Sequence, residues 1–331
     1  MNFGKRIARQ TVLAALLATG VTALVPGRAS TQAVWPSRPI TLIVPFAPGG
    51  SNDNLARVLA VQLLARLGQS VVVENKGGGG GTIGTNSVAK SPPDGYTLLF
   101  ASTSITTNAA IGKKLPYDPL KDLQPIGEVG AGPFVVVVSN ALKVTTLREF
   151  IALAREKPNT INYGTAGPGG INHLGTELLA AEAKIQLVHV PYRGIGLAFN
   201  DLIAGNLQIL LPTIASAAQH IHAGTMRGLA VTGAERSPLA PELPTVAEAG
   251  LPGFRLEAWW GLLGPARLPD AVVKRLNEEL NAALALPDVR EALAREDATP
   301  RPSTPEEFGS LIRSELTRWS QLIKDSHLEI D

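Results

Sequence analysis

The 331-residue chain contains no cysteine. That excludes disulfide bonds, thiol catalysis and thiolate-ligated metal, and it closes the lipoprotein route, which needs a cysteine to acylate. Catalytic signatures are missing too. No Gly-x-Ser-x-Gly elbow, no His-Glu-x-x-His metal helix and no Gly-Lys-Ser/Thr phosphate loop occurs. Gly79 to Gly84 satisfies Gly-x-Gly-x-x-Gly, but it follows the second apolar strand rather than the first. Where a ribose-binding acid belongs, about 20 residues on, Ser102 and Thr103 stand instead. No cofactor is expected. Of five histidines, His220 and His222 would point ~200° apart on a helix, a poor chelate, and no metal site is expected.

Long apolar runs are also missing. The longest, Thr11 to Val25, falls short of the ~20 residues that span a bilayer. It follows Lys5, Arg6 and Arg9, and small residues come after it at Ala29 and Ala33. Residues 1–33 therefore read as a secretory signal peptide, and the expected location is the periplasm. Removing that segment removes Lys5, Arg6, Arg9 and Arg28 and no acids, so the formal charge goes from +2 to −2. A near-neutral chain is no nucleic-acid binder by charge.

What is present is a rhythm of apolar strand, glycine-rich turn and helix. Ile40 to Phe46 is of strand length, and helical spacing follows from Leu55 to Gly68. Then come strand 70–74, helix 82–90 and strand 96–100. A second block runs through strands 134–139 and 160–163, helices 147–155 and 173–184, and strands 186–190 and 228–233. Strand 256–265 and two long helices, 269–285 and 305–326, close the chain. Such alternation predicts an α/β protein with mostly parallel sheets flanked by helices. The crossings at 127–139 and 255–265 predict two domains: 34–132 with 256–331, and an inserted 133–255.

The turn Ala47-Pro48-Gly49-Gly50-Ser51-Asn52-Asp53-Asn54 has a counterpart about 120 residues later, Gly164 to Asn172. Each is ordinary turn chemistry. Each also suits an anion, since a glycine-rich strand-to-helix turn leaves the first amides of the helix unobstructed. Neither contains Lys or Arg. Trp259 and Trp260, adjacent on a strand, face opposite ways, so one can reach a cleft while the other stays in the core.

Together these segments resemble the exported solute-binding proteins of the tripartite tricarboxylate transporter family, often called the Bug family. The matching stretches are Pro45 to Asp53, Val72 to Asn75 with the glycine tract, Pro93 to Leu99 and Leu115 to Pro119. They continue through Tyr163 to Gly167, His189 to Gly194, Leu229 to Thr232 and Trp260 to Leu262. The resemblance implies a two-domain Venus-flytrap fold of the periplasmic binding protein type (type II-like). It implies a monomer that holds a small organic carboxylate in the cleft and delivers it to membrane permease subunits. A sensor subunit, or an exported enzyme relying on Asp53 and His173, are the alternatives.

Carried onto this chain, the ligand contacts come from Phe46, Pro48, Gly49, Gly50, Ser51, Asn52 and Asp53 of the first loop. Thr165, Ala166, Gly167, Gly169 and His173 supply the facing one, with capping or packing an equal reading for His173. Ser102, Thr103, Tyr192 and Gly194 would reach the distal part of the ligand. Three positions depart from the family pattern: Asn52 where threonine is usual, Lys76 ahead of five glycines, and Gln208 where many members carry an acid.

Overall fold

Residues 35–112 and 114–325 are described by a computed structural model. Residues 1–33, read above as a signal peptide, lie outside them. The first α/β run comprises β1 (Ile40–Val44), α1 (Ser51–Leu67), β2 (Val71–Asn75), α2 (Thr82–Ala89), β3 (Thr97–Ser102), α3 (Ser104–Ala110) and β4 (Leu123–Pro133). The second comprises β5 (Val135–Val138), α4 (Leu147–Glu156), β6 (Asn162–Thr165), α5 (Ile171–Ala183), β7 (Val188–Pro191), α6 (Phe199–Ala204), β8 (Ile209–Leu210), α7 (Ile214–His222) and β9 (Arg227–Val231). The chain then returns through β10 (Glu257–Pro265), α8 (Asp270–Leu284), α9 (Pro287–Arg295), β11 (Thr299–Pro300) and α10 (Pro305–Asp325).

These strands form two sheets, ordered β11-β4-β10-β3-β1-β2 and β7-β6-β8-β5-β9. The chain leaves the first sheet at Phe134 and re-enters it at Glu257. Mostly parallel sheets were the expectation; both are in fact mixed. β1 pairs in parallel with β2 and β3, as β6 does with β7 and β8, but β10 runs antiparallel to β3 and β4, and β5 antiparallel to β8 and β9. The cause is connectivity: β4 and β5 carry the chain out of one sheet into the other, and β10 carries it back, so neither sheet is a continuous series of right-handed crossovers.

The central strands read correctly because they are buried on both faces. Val135 to Val138 are all 0% exposed, and each buried valine is worth ~1.5–3 kcal/mol against exposure. Among the elements that escaped the periodicity reading, two did so for opposite reasons. In α3, the run Ser104 to Asn108 is buried without a break, so no amphipathic stripe exists to be read. In β4, three glycines and two prolines look like turn chemistry, yet a Cβ on Gly127 or Gly130 would meet Leu280 Cδ2 at 2.8 Å or the Thr299 carbonyl oxygen at 2.6 Å. They are there so that α8 and β11 can lie directly on the strand.

Helix starts follow local chemistry. Thr146 and Glu149 form a reciprocal capping box on α4, and Thr304 with Glu307 repeats it at α10 through bonds of 2.8 and 3.1 Å. Pro269 precedes α8 as its N-cap, and Asp270 begins the helix.

Candidate functional site

α1 begins at Ser51, four residues earlier than the apolar spacing indicates, because Gly50, extended at φ −94° and ψ 171°, acts as its N-cap. α5 begins the same way, at Ile171 after an extended Gly170. Neither cap offers a side-chain hydrogen bond. The first-turn amides of a helix have no intrahelical acceptor, so glycine caps leave those of Ser51, Asn52 and Asn172 without a local side-chain acceptor. Ile171 N–H is used, donating to Ser104 Oγ at 3.1 Å.

Both helix starts border one cavity of ≈ 50 Å³ between the two sheets. Phe46, Gly50, Ser51 and Asn52 line it from the β1–α1 turn, and Ser102, Ser104, Ala258 and Trp260 from β3, α3 and β10. The second sheet's side contributes Ala166, Ile171, Asn172, Gly194, Ile195, Gly196 and Thr213. Among the described residues, no Lys or Arg lines it. Trp260, 1% exposed, donates its indole N–H to Asn52 Oδ1 at 2.8 Å. That fixes the amide, and Asn52 Nδ2 is left buried with no partner among the described residues. Trp259 points the other way and packs edge-on against Phe308, centroids 5.3 Å apart, as strand alternation requires.

Segments on the two sheets' sides touch closely around the cavity. Ala47 N–H donates to Arg193 O at 3.3 Å, and Thr107 Oγ1 donates to Gly169 O at 2.8 Å. The glycine tract that resembled a nucleotide fingerprint serves this closure: a Cβ on Gly80, at φ +64°, would lie 2.4 Å from Pro168 O and 3.0 Å from Gly170 N. Backbone meets backbone there, and only glycine permits it.

Of the residues expected to meet ligand, Phe46, Gly50, Ser51, Asn52, Ser102, Ala166 and Gly194 are brought to this wall. Pro48, Gly49, Asp53, Thr103, Thr165, Gly167, Gly169, His173 and Tyr192 are not among its lining residues. Most of them shape the loops instead. Thr103 Oγ1 accepts from Trp259 N–H at 2.8 Å, and Thr165 Oγ1 bonds His189 Nε2 at 2.6 Å while accepting from Gly167 N–H. His173 Nδ1 accepts from Gly169 N–H at 3.0 Å, and its ring stacks on His189 with centroids 4.0 Å apart. Tyr192 donates to Asp201 at 2.5 Å. Gln208 is likewise a framework residue, bridging Asn162 N–H and Gly205 O.

Ser104, Asn172, Phe134 and Thr213 were missed. Ser104 and Thr213 start or cap helices that no periodicity announced, and Phe134 lies where the chain changes sheets. Only Asn172, two residues past the Gly170 cap, was legible in principle.

Asp53 clamps its own turn. Its carboxylate accepts from Gly49 N–H at 3.1 Å and Asn75 Nδ2 at 3.0 Å, and pairs with Arg57 at 2.9 Å. Burial alone would raise its pKa, but hydrogen bonds from Arg57, Asn75 and Gly49 together hold it below the ordinary carboxylate range. A lowered native value stabilises the fold above the unfolded pKa of ~3.9 and loses that contribution as pH falls through the native value. Asp53→Asn should therefore cost ~2–3 kcal/mol at pH 7, the scale of a bond or two to a charged acceptor. At pH 3 the gap to wild type should shrink. Urea midpoints at both pH values check this; an equal gap at both would remove the clamp.

Comparison with known proteins gives a consistent picture. The model of the family described as "Tripartite tricarboxylate transporter family receptor" matches residues 55–328. A UPF0065 protein in the tcbD-tcbE intergenic region of Pseudomonas sp. (strain P51) is 40% identical, over 97% of this chain and 96% of its own. Among solved structures, the periplasmic binding protein BugD is similar at 33% identity and TM-score 0.85, covering 89% of this chain and 99% of its own. Rpa4515 of R. palustris with adipate is 34% identical with TM-score 0.85, covering 88% and 98%. MatC (Rpa3494) of Rhodopseudomonas palustris with bound malate is 32% identical with TM-score 0.83, covering 87% and 99%.

Proposed function

Since this chain belongs to the tripartite tricarboxylate transporter receptor family, a family of solute-binding receptors and not enzymes, we propose that it captures a small organic dicarboxylate between its two sheet-centred halves. It acts as a monomer in the periplasm and hands its cargo to membrane permease subunits. The halves divide at residues 34–132 with 256–331 and 133–255, and the hinge lies where Gly130 to Pro133 and Leu256 to Trp260 cross. A cavity of ≈ 50 Å³ has room for only a few waters, so entry of a metabolite requires those halves to separate.

One observation carries this reading: two glycine-capped helix starts, on opposite sides of one cavity, join an unpartnered Asn52 Nδ2 in a site lined by no cation. Each helix end supplies roughly half a positive charge, worth up to ~2 kcal/mol in a partly buried geometry. Each amide donor to a charged oxygen adds ~1.5–3 kcal/mol before desolvation. The sum reaches the ~8 kcal/mol of micromolar affinity without an arginine. The adipate and malate held by the two similar proteins support the ligand class.

The test is titration calorimetry of the mature chain with mono-, di- and tricarboxylates, adipate and malate included, beside Asn52→Asp. That variant retains the oxygen that Trp260 bonds but replaces the free donor with negative charge. Affinity for dicarboxylates should fall at least ~100-fold, as for like charges in a desolvated site. Equal affinity in variant and wild type would remove the site assignment.

A further inference from the structure

Ser51 does more than present an amide. Its Oγ lies 2.5 Å from Glu296 Oε2 and 3.2 Å from Ser216 Oγ, and it also touches Thr213 Oγ1. Thr213 Oγ1 in turn lies 2.9 Å from Ser216 Oγ and stands close enough to Glu296 to act on its carboxyl. Glu296 follows α9, and Ser51 begins α1; Thr213 caps α7, and Ser216 lies within it, on the other sheet's side. Glu296 is 2% exposed. The cluster therefore spans the two halves at the edge of the cavity.

The proton count favours a neutral carboxyl. Four oxygen–oxygen contacts, with Thr213 also close to Glu296, share three hydroxyl hydrogens. With Glu296 a carboxylate, Ser51 donates to it, and if Thr213 donates to it as well, the Ser51–Thr213 contact sets two lone pairs against each other. A proton on Glu296 reverses one of those bonds and frees a hydroxyl hydrogen for the Ser51–Thr213 contact. Among the described residues no cation takes the proton's place: Arg295, next in the chain, turns to Glu291 at 2.5 Å, and Asp53 is held by Arg57. His222 borders the adjoining groove from α7, and Asp297 is bonded by Ser237.

We propose that Glu296 is a proton-loaded latch, a positioning residue that joins Ser51 to Thr213 when the halves close and so couples ligand capture to uptake of one proton. This rests on the closure reading above. In the separated form α7 withdraws, the carboxyl meets water, and the proton returns to solvent. Burial, opposed by hydrogen bonds from Ser51 and Thr213, pushes Glu296 up to about 7 in the closed form, against ~4.3 when solvated. A group with a raised value in the closed state favours that state below its solvated pKa and loses the effect as pH rises through the closed value. Affinity should thus fall between pH 5 and 7 and level off above.

The experiment is calorimetry with adipate and malate at pH 6.0 and 8.0, in paired buffers of different ionisation heat, on wild type, Glu296→Gln and His222→Gln. Wild type and His222→Gln should take up close to one more proton at pH 6.0 than Glu296→Gln, and should bind about tenfold tighter at pH 6.0 than at pH 8.0. Glu296→Gln, which keeps a donor for the cluster, should show neither trend beyond that of the ligand itself. Identical proton uptake in wild type and Glu296→Gln overturns the latch, as does its loss in His222→Gln alone. Solution scattering of the ligand-free chain decides the matter even if neither acid binds, an outcome that would count against the dicarboxylate reading only. The compact form should lose population from pH 6.0 to 8.0 in wild type but not in Glu296→Gln, and equal profiles overturn the latch.

Discussion

Gly194→Val is expected to weaken dicarboxylate binding by ~10- to 100-fold while leaving the unfolding midpoint of the ligand-free chain nearly unchanged. The reason is where the new atoms go. Gly194 has φ 177°, extended backbone that valine adopts without strain. A Cβ there would lie 2.9 Å from Ala47 Cβ and 3.1 Å from Ala47 N, across the seam between the halves. Forcing atoms into a packed contact costs ~1–3 kcal/mol, and here the cost falls on the closed arrangement alone. A ligand that needs closure then loses that amount of affinity. Calorimetry with adipate, beside thermal unfolding, separates the two effects. Unaltered affinity would mean that the Ala47–Gly194 contact is not part of the bound form, and the closure account would fail.

The second large effect should follow Trp260→Ala, which is expected to lower stability by ~3–5 kcal/mol, the usual range for emptying a buried tryptophan site. Trp260 is among the largest fully buried side chains, and it joins the inter-half strand β10 to the first turn of α1 through Asn52. Trp260→Phe keeps most of the packing and removes only the indole N–H. It should cost ~1–2 kcal/mol, because Asn52 Oδ1 is left buried without a donor, and dicarboxylate affinity should drop ~10-fold as the amide loses its orientation. Denaturant midpoints and calorimetry on the pair separate packing from positioning. If Trp260→Phe bound as tightly as wild type, Asn52 would need no orienting and its assigned role would lapse.

How far the residues could be read in order depended on what kind of information each position carries. Strands buried on both faces announce themselves as apolar runs, and the loops Phe46 to Asp53 and Gly164 to Gly170 stood out because glycine followed a strand and preceded helical spacing. Asp53, Thr165 and His173 looked like ligand contacts for the same reason, being polar residues in those loops. The structure turns all three inward, toward Arg57, His189 and Gly169 N–H. A loop that holds its amides outward needs such inward anchors, and composition does not distinguish the two directions. Nor did anything near Glu296 or Thr213 mark them as partners of Ser51, since they are 245 and 162 positions away along the chain.

By itself the order of residues determined the alternating α/β elements, the absence of thiol and cationic chemistry in the two glycine turns, and the family pattern. These are local properties, fixed by side-chain periodicity and backbone freedom over spans of ten residues or fewer. The tertiary structure alone decided that both sheets are mixed, that the Gly79 to Gly84 tract meets the 167–170 loop backbone to backbone, and that a buried carboxyl closes a hydroxyl cluster across the cleft. Those depend on which distant backbones approach one another, a quantity set by long-range packing and carried by no single stretch of chain.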